Sequence, residues 1–367
     1  MKPYPNRITR FVMLLSIMIG LVACKPNPED DIALFQPFIT ENINKKSDDP
    51  YISSTVKPGD KMYDILVNIQ HGKWDVAEGG LLSLIDEGNP DAMLWYAIML
   101  LLDNNKRREV TNLIFKSLTS GNPYAALAIA KNSHACAYLG SGSLDSQVVQ
   151  SLGISDPNSA RLCTDNNFKK AIELFKPLAA QGDLRAQYFL LQQQELEKSK
   201  ETRAQYIQEV IRFSQAHYYQ PLMDYVSTIL TRPQDKFKYE AKTPELYQLA
   251  IQLLTVAANN NYIPAIEFLV RQDSDLKSND DLYLKLKTLG GTHFYKTRFF
   301  EFKNEFNNRQ LYCYATLYEA ITGSDKFFIG IENEENITAD CNIEESMKEM
   351  TPMVYIDGFT SRDKWVD

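Results

Sequence analysis

From about residue 60 onward, apolar residues recur at intervals of three and four in paired stretches that short polar junctions separate. This spacing is typical of amphipathic helices, because residues three and four apart share one helical face. The stretches around Gly182 show the pattern clearly, with Phe168, Ala171, Ile172, Phe175 and Ala179 before the glycine and Ala186, Phe189 and Leu190 after it. The pattern predicts an all-α fold built from helix pairs.

The junctions between the paired stretches repeat one pattern. In three clear copies a glycine (Gly88, Gly121 or Gly182) is followed by Asn or Asp and, four residues after the glycine, by alanine. Glycine can adopt the left-handed conformation that ends a helix, and Asn or Asp can cap the next helix. Two weaker copies place His217 and Asn261 at the turn, where Asn fits the left-handed conformation more readily than His.

These junctions resemble the Sel-one-like repeat family, a relative of the tetratricopeptide repeats. Its Ala-Ala-x-x-Gly-[Asp/Asn]-x-x-Ala core is echoed by residues 179–186 and 257–265, whereas its terminal Gly-x-Gly-Val element is missing from every copy. The resemblance covers about residues 62–275. It implies an α-solenoid of antiparallel helix pairs whose concave face binds peptides or proteins, without catalytic residues. An irregular helical domain is the alternative.

The start of the chain is basic and then apolar. Three positive residues precede an apolar run over residues 11–23, which is too short for a transmembrane helix. The residues that close this run resemble the lipobox of bacterial lipoproteins; they are Leu21, Val22, Ala23 and Cys24. The resemblance implies that residues 1–23 are removed and Cys24 is lipidated. An ordinary signal peptide cleaved near Ala23 is the alternative.

The lipobox resemblance also indicates where the protein resides. Asp after the lipidated cysteine is the common inner-membrane retention signal, and this chain has Lys25 there. We therefore expect an anchor in the bacterial outer membrane, with the protein facing the periplasm. The lipid is the expected membrane attachment, because several acyl chains hold a protein far longer than one.

Composition divides the rest of the chain. Residues 24–60 are rich in proline and acidic residues and predict a flexible tether, in which the apolar residues 32–35 and 38–39 could dock locally. Residues 61–275 hold the repeats, with an insertion at about 133–163. Residues 276–367 lose the repeat and predict an aromatic helical cap, in which the aromatic residues cover the end of the solenoid. From about Ile331 onward we expect a solvated acidic tail, and a segment that faces the partner is the alternative.

With Cys24 committed to lipid, four cysteines remain in an oxidising compartment, and they are Cys136, Cys163, Cys313 and Cys341. Three pairings are possible. Proximity in the sequence favours Cys136 with Cys163 and Cys313 with Cys341. Buried, unpaired cysteines are the alternative.

Charge and motifs exclude several classes of function. Cleavage before Cys24 removes three positive charges and lowers the net charge from −8 to −11, which disfavours nucleic acid as a partner. The chain has only four histidines, and it lacks the common zinc-protease, hydrolase, P-loop and dinucleotide motifs. We therefore predict no catalytic residues, no metal site and no cofactor.

The sequence favours a non-catalytic lipoprotein that binds a protein partner through its helical repeats. A sharper hypothesis is an immunity protein that neutralises a type VI-type antibacterial effector toxin such as a lipase. The alternative is an envelope assembly or signalling scaffold that binds an endogenous membrane or cell-wall protein. A hydrolase related to penicillin-binding members of the repeat family is a third class, although the regular cysteine pairs of those relatives are missing here.

Overall fold

The computed structural model describes residues 26–101, 103–131, 133, 135–136, 163–233, 238–272, 281–304, 308–329, 331, 339 and 341–356. The predicted lipobox at Leu21 to Cys24 and most of the predicted insertion at 133–163 lie outside this part of the chain. Within it, no helix combines the length and the apolar character needed to cross a membrane.

The described residues are mainly helical, as the apolar pattern predicts. The first eight helices are α1 (Asp31–Asn42), α2 (Tyr63–His71), α3 (Trp74–Asp86), α4 (Pro90–Leu100), α5 (Arg107–Thr119), α6 (Pro123–Ala128), α7 (Asp165–Ala180) and α8 (Leu184–Gln192). The next eight are α9 (Lys200–Gln215), α10 (Gln220–Ile229), α11 (Pro244–Asn259), α12 (Ile263–Gln272), α13 (Asp281–Thr288), α14 (Thr292–Asn304), α15 (Asn308–Thr322) and α16 (Ile343–Lys348). Short 3-10 helices cover Pro28–Asp30, Asn104–Lys106 and Leu196–Lys198.

One short hairpin interrupts the helices. Strands β1 (Leu230–Thr231) and β2 (Glu240–Ala241) pair antiparallel, with Leu230 opposite Ala241. Apart from these two strands, the part of the chain that the structure describes is therefore all-α in class.

All five predicted junctions share one backbone geometry. The residues at the turn, which are Gly88, Gly121, Gly182, His217 and Asn261, all have positive φ, between 59° and 96°. In each junction the amide of the next residue donates to the carbonyl five positions earlier in the preceding helix, for example from Asn89 to Leu84 at 2.9 Å and from Tyr218 to Phe213 at 3.0 Å. This is the bond that closes a Schellman turn, and it pairs carbonyls that the helix end leaves free.

The residues after each glycine act as their chemistry predicts. Asn89, Asn122 and Asp183 accept backbone amides of the following helix at about 3 Å. The alanines four residues after the glycines are fully buried, as is Ala265 in the last copy; they are Ala92, Ala125 and Ala186. A larger side chain at these positions would force the neighbouring helices apart.

The chain divides into two compact units. Unit 1 comprises Met1–Lys45 and Leu191–Val256. In its described part, α9 packs against α1 and α10. The ring of Phe35 on α1 lies 4.7 Å from that of Tyr225 on α10, measured between centroids.

The flexible tether predicted for residues 24–60 is wrong for its described part. Residues 31–42 form α1, which buries Phe35, Phe38 and Ile39. Asp31, at its first position, is fully buried and accepts two bonds from Nε of Arg203, at 3.0 and 3.1 Å. A few apolar side chains at helical spacing, together with one buried ion pair, are enough to order a segment whose average composition is polar.

Unit 2 comprises Lys46–Leu190 and Ala257–Asp367. Each of the helices α2 to α6 contacts the next described helix, and so does each of α12 to α15. Helix α15 also contacts α2, so the two segments of this unit pack together. Buried aromatic residues contribute to the C-terminal part, where the rings of Phe299 and Phe327 stack at 4.5 Å.

The predicted acidic tail is wrong over residues 351–356, which we call the C-terminal strap. Its residues Met353, Val354 and Ile356 are buried. The strap is bonded to the start of unit 2, since the amide of Thr55 donates to the carbonyl of Val354 at 2.8 Å. Apolar residues within an acidic stretch therefore complete the core of this unit.

The four cysteines pair as their proximity in the sequence favours. Cys136 is bonded to Cys163, with Cα atoms 6.0 Å apart, and Cys313 to Cys341, with Cα atoms 5.8 Å apart. Both bonds lie in unit 2. The second joins α15 to the segment that leads into α16.

Candidate functional site

A cleft of about 100 Å³ lies in unit 2, and we call it the junction cleft. Its walls come from the loop before α2, from α2 itself, from three of the repeat junctions and from the C-terminal strap. The lining residues are Val56, Asp60, Met62, Leu66, Asp91, Leu94, Trp95, Ile98, Tyr124, Arg185 and Ile356.

Three of the lining residues hold equivalent positions in the repeats. Asp91, Tyr124 and Arg185 each follow the junction glycine by three residues, at the first turn of α4, α6 and α8. The same turn geometry recurs at these three junctions, and in each of them this position faces the same recess. The repeat thus supplies the framework, and this position supplies an acid, an aromatic ring and a base in turn.

Hydrogen bonds link one junction to the next. Nδ2 of Asn122 donates to Oδ1 of Asp91 at 2.9 Å and to the carbonyl of Pro90 at 3.2 Å. The hydroxyl of Ser117 donates to the same carbonyl at 2.7 Å. Asn122 also caps the start of α6, so one side chain both begins a helix and holds the carboxylate of Asp91 in place.

The charges of the cleft are unevenly balanced. Asp91 is an exposed residue, yet partial burial of its carboxylate raises its pKa. The charge of Arg185 and the hydrogen bond from Asn122 oppose this rise, and the negative charges of Asp60 and Asp183 add to it. Burial also acts to raise the pKa of Asp183, but the charge and hydrogen bonds of Arg185 outweigh it, so that this pKa is lowered. Nη2 of Arg185 lies 3.1 Å from Oδ2 of Asp183.

The rest of the cleft is apolar and aromatic. Leu66 and Leu94 are buried residues of its lining, and Trp95 and Tyr124 contribute aromatic rings. The guanidinium carbon of Arg185 lies 5.9 Å from the centre of the Tyr124 ring, within the range of cation–π attraction. Such a recess suits the binding of an amphipathic side chain, with its apolar stem inside and its polar end at the rim.

The residues singled out from the sequence occupy different places. Gly88, Gly121 and Gly182 form the turns that carry the cleft residues. His217 lies in unit 1, and Asn261 lies in unit 2, where its amide donates to the carbonyls of Ser47 and Asp49. The predicted lipidation site at Cys24 lies outside the described residues.

The residues that line the cleft were not predicted from the sequence. Three of them could have been found from the position three residues after each junction glycine. The residue type at this position differs between the copies, while the glycine and the alanine around it are kept. Asp60 and Ile356 had no comparable signal, since they lie outside the repeats.

No group of three or more His, Cys, Asp or Glu residues in the described part of the chain is arranged to hold a metal ion. One ionisable cluster lies on α12 and α14, where Arg271 is 3.4 Å from the buried carboxylate of Glu267.

No protein-family model matches the chain, and searches of curated proteins and of solved structures find no match.

Proposed function

We propose that the chain is a non-catalytic, lipid-anchored protein that binds a protein partner through a surface of helical repeats. The observation that carries the proposal is the junction cleft, in which equivalent positions of three repeats present different chemistry to one recess. A repeat framework with a variable position is the usual basis of recognition in repeat proteins.

The order of helix contacts supports a solenoid of antiparallel pairs between α2 and α7. Each helix contacts its neighbours in sequence, and the same left-handed turn joins α3 to α4 and α5 to α6. In such an arrangement neighbouring repeats bury each other's apolar faces, and the remaining faces are available to a partner.

The anchor rests on the resemblance of Leu21 to Cys24 to a lipobox, and on Lys25 for the outer membrane. Metabolic labelling with palmitate and membrane fractionation test it. The native chain should carry label and enter the outer-membrane fraction. Cys24→Ser should lose the label and become soluble, whereas Lys25→Asp should keep the label and move to the inner membrane. A labelled Cys24→Ser variant would contradict the proposal.

Crosslinking in intact cells, followed by purification from membranes, tests whether the chain binds a protein partner. A reproducible one-to-one complex supports the proposed function. Absence of any specific complex, with the protein shown to be folded and anchored, would contradict it.

The sharper form of the proposal is an immunity protein against an antibacterial effector such as a lipase. It is supported by the resemblance of Leu21 to Cys24 to a lipobox, by the net negative charge of the chain and by the absence of a recognised catalytic motif in the sequence. A strain that lacks the protein should be killed by siblings with an active secretion system and should be rescued by the gene. Equal survival would leave the envelope scaffold as the better candidate.

A further inference from the structure

We propose that the junction cleft receives one arginine side chain of the protein partner, with its guanidinium group beside the carboxylates of Asp60 and Asp91. This inference rests on the proposed function, because it names the chemistry by which the partner is recognised. The cleft volume of about 100 Å³ accommodates several water molecules, and so one long side chain. It is well below the roughly 300–1,000 Å³ of sites for drug-sized ligands.

The excess of carboxylates in the cleft favours the binding of a cation. Among the residues that line it, Asp60 and Asp91 are acidic and Arg185 is the one base. Arg185 is held by Asp183, which lies in its own turn, so the rim including that turn has three carboxylates and one guanidinium. An incoming positive charge would relieve the repulsion among these carboxylates, and a partner carboxylate would increase it.

The walls favour arginine over lysine. A guanidinium group is planar, stacks on aromatic rings and bonds to carboxylates with two parallel hydrogen bonds, whereas an ammonium group is a strongly hydrated point charge. Trp95 and Tyr124 supply rings to the lining of the cleft, and the two acidic residues of the lining, Asp60 and Asp91, are exposed. The buried lining residues Leu66 and Leu94 suit the three methylenes of the arginine stem.

The test uses the mature chain labelled with 5-fluorotryptophan and the peptide acetyl-Gly-Arg-Gly-amide as the probe. The chain has three tryptophans, Trp74, Trp95 and Trp365, so fluorine NMR follows the cleft separately from the rest. We expect the Trp95 signal to shift in a saturable way while the Trp74 signal stays constant. The matched citrulline peptide, which has the same shape without the charge, should cause no such shift.

The variants make the test specific to the two carboxylates. Asp60→Asn combined with Asp91→Asn should weaken binding of the arginine peptide at least tenfold. Asp75→Asn, which changes an exposed acid on α3 away from the cleft, should leave it unchanged. Equal responses to arginine and citrulline peptides, or to arginine and lysine peptides, would overturn the inference, as would an unchanged affinity in the double variant.

Two further outcomes distinguish a partner arginine in the cleft from an occupant within this chain, and failure of this inference from failure of the proposed function. If the arginine peptide binds only after residues 357–367 are deleted, the end of the chain is the occupant and the inference is overturned. If the double variant captures the partner from membranes as well as the native chain does, the inference fails while the proposed function stands. Failure of the native chain to capture any partner removes the proposed function itself.

Discussion

At the residue scale, burial changes the pKa values of ionisable side chains in a way that the sequence does not indicate. Glu267 and His293 lie together in unit 2, where the backbone amide of His293 donates to the buried carboxylate of Glu267. Burial raises the pKa of Glu267. Burial, together with the positive charges of Arg271 and Lys296, lowers the pKa of His293 to about 4.

We expect His293 to make the folded state less stable as the pH falls from 6.5 to 4. Over this range the unfolded chain binds a proton at the histidine that the folded chain does not, which favours unfolding by up to about 3 kcal/mol. Glu267 acts in the opposite sense, because its raised pKa favours the folded state at low pH. Urea unfolding at pH 4 and pH 7 measures the sum.

Comparison with His293→Gln isolates the contribution of the histidine. The loss of stability between pH 7 and pH 4 should be about 2 to 3 kcal/mol smaller in this variant than in the native chain. An identical loss in both would show that His293 is protonated in the folded state at the same pH as in the unfolded chain.

At the element scale, the left-handed residue at each junction allows one helix to end and the next to begin. At Gly182, with φ of 96°, an added Cβ would meet no atom within 4 Å, so any cost of a side chain there comes from the backbone conformation alone. Gly79, an exposed glycine within α3, has equally open space around its Cβ position and no positive φ.

The same substitution should therefore have opposite effects at these two glycines. Gly182→Ala should lower the free energy of unfolding by about 1–2 kcal/mol, since alanine is strained in the left-handed region. Gly79→Ala should raise it by about 0.5–1 kcal/mol, because alanine favours the helix. Chemical denaturation of both variants checks this, and a stabilising Gly182→Ala would contradict the assigned turn.

The buried ion pair of α1 acts at the same scale, because it joins one helix to another. Asp31 accepts from Arg203 on α9 and, at 3.1 Å, from the hydroxyl of Tyr225 on α10. Asp31→Ala would leave the largely buried Arg203 without its carboxylate and should lower stability by about 3–5 kcal/mol. Asp30→Ala, one residue earlier and exposed, should change stability by less than about 0.5 kcal/mol.

Urea denaturation followed by the fluorescence of the aromatic residues measures both variants. Equal stability of the two would mean that the ion pair contributes nothing net, and that α1 is held by Phe35, Phe38 and Ile39 alone.

At the scale of the whole molecule, the C-terminal strap completes the core of unit 2 with residues almost 300 positions from their partners. Nε2 of Gln70 on α2 donates to the carbonyl of Met353 at 2.8 Å, and its Oε1 accepts the amide of Tyr355 at 2.9 Å. The hydroxyl of Tyr63 donates to the carbonyl of Pro352. The folded structure of unit 2 therefore depends on contacts between α2 and the C-terminal strap.

We expect Gln70→Ala to lower the free energy of unfolding by about 2–4 kcal/mol, because it leaves a buried amide and a buried carbonyl without these partners. Asp64→Ala, which changes an exposed residue on the same helix, is the matched control and should have little effect. Hydrogen exchange should show faster exchange at Tyr355 in the Gln70 variant. Unchanged exchange there would contradict the role of Gln70 in holding the strap.

Local signals made much of the fold predictable. The helix pairs follow from apolar spacing, and the turns follow from glycine, the following Asn or Asp, and the buried alanine. Even Asn261 and the less favourable His217 adopt the left-handed conformation, because the frame around them is kept. The two disulfide pairings were favoured by proximity for a similar reason, since a short loop closes at a small entropic cost.

The sequence by itself determined the helical class and the position and geometry of the junctions, because both depend on residues within a few positions of one another. Only the tertiary structure decided that residues 31–42 are docked, that the strap is buried and that Asp60, Asp91 and Arg185 share one cleft. These features depend on contacts between residues from about 30 to 300 positions apart, and no local pattern of charge or hydropathy encodes which distant surface a short segment will cover.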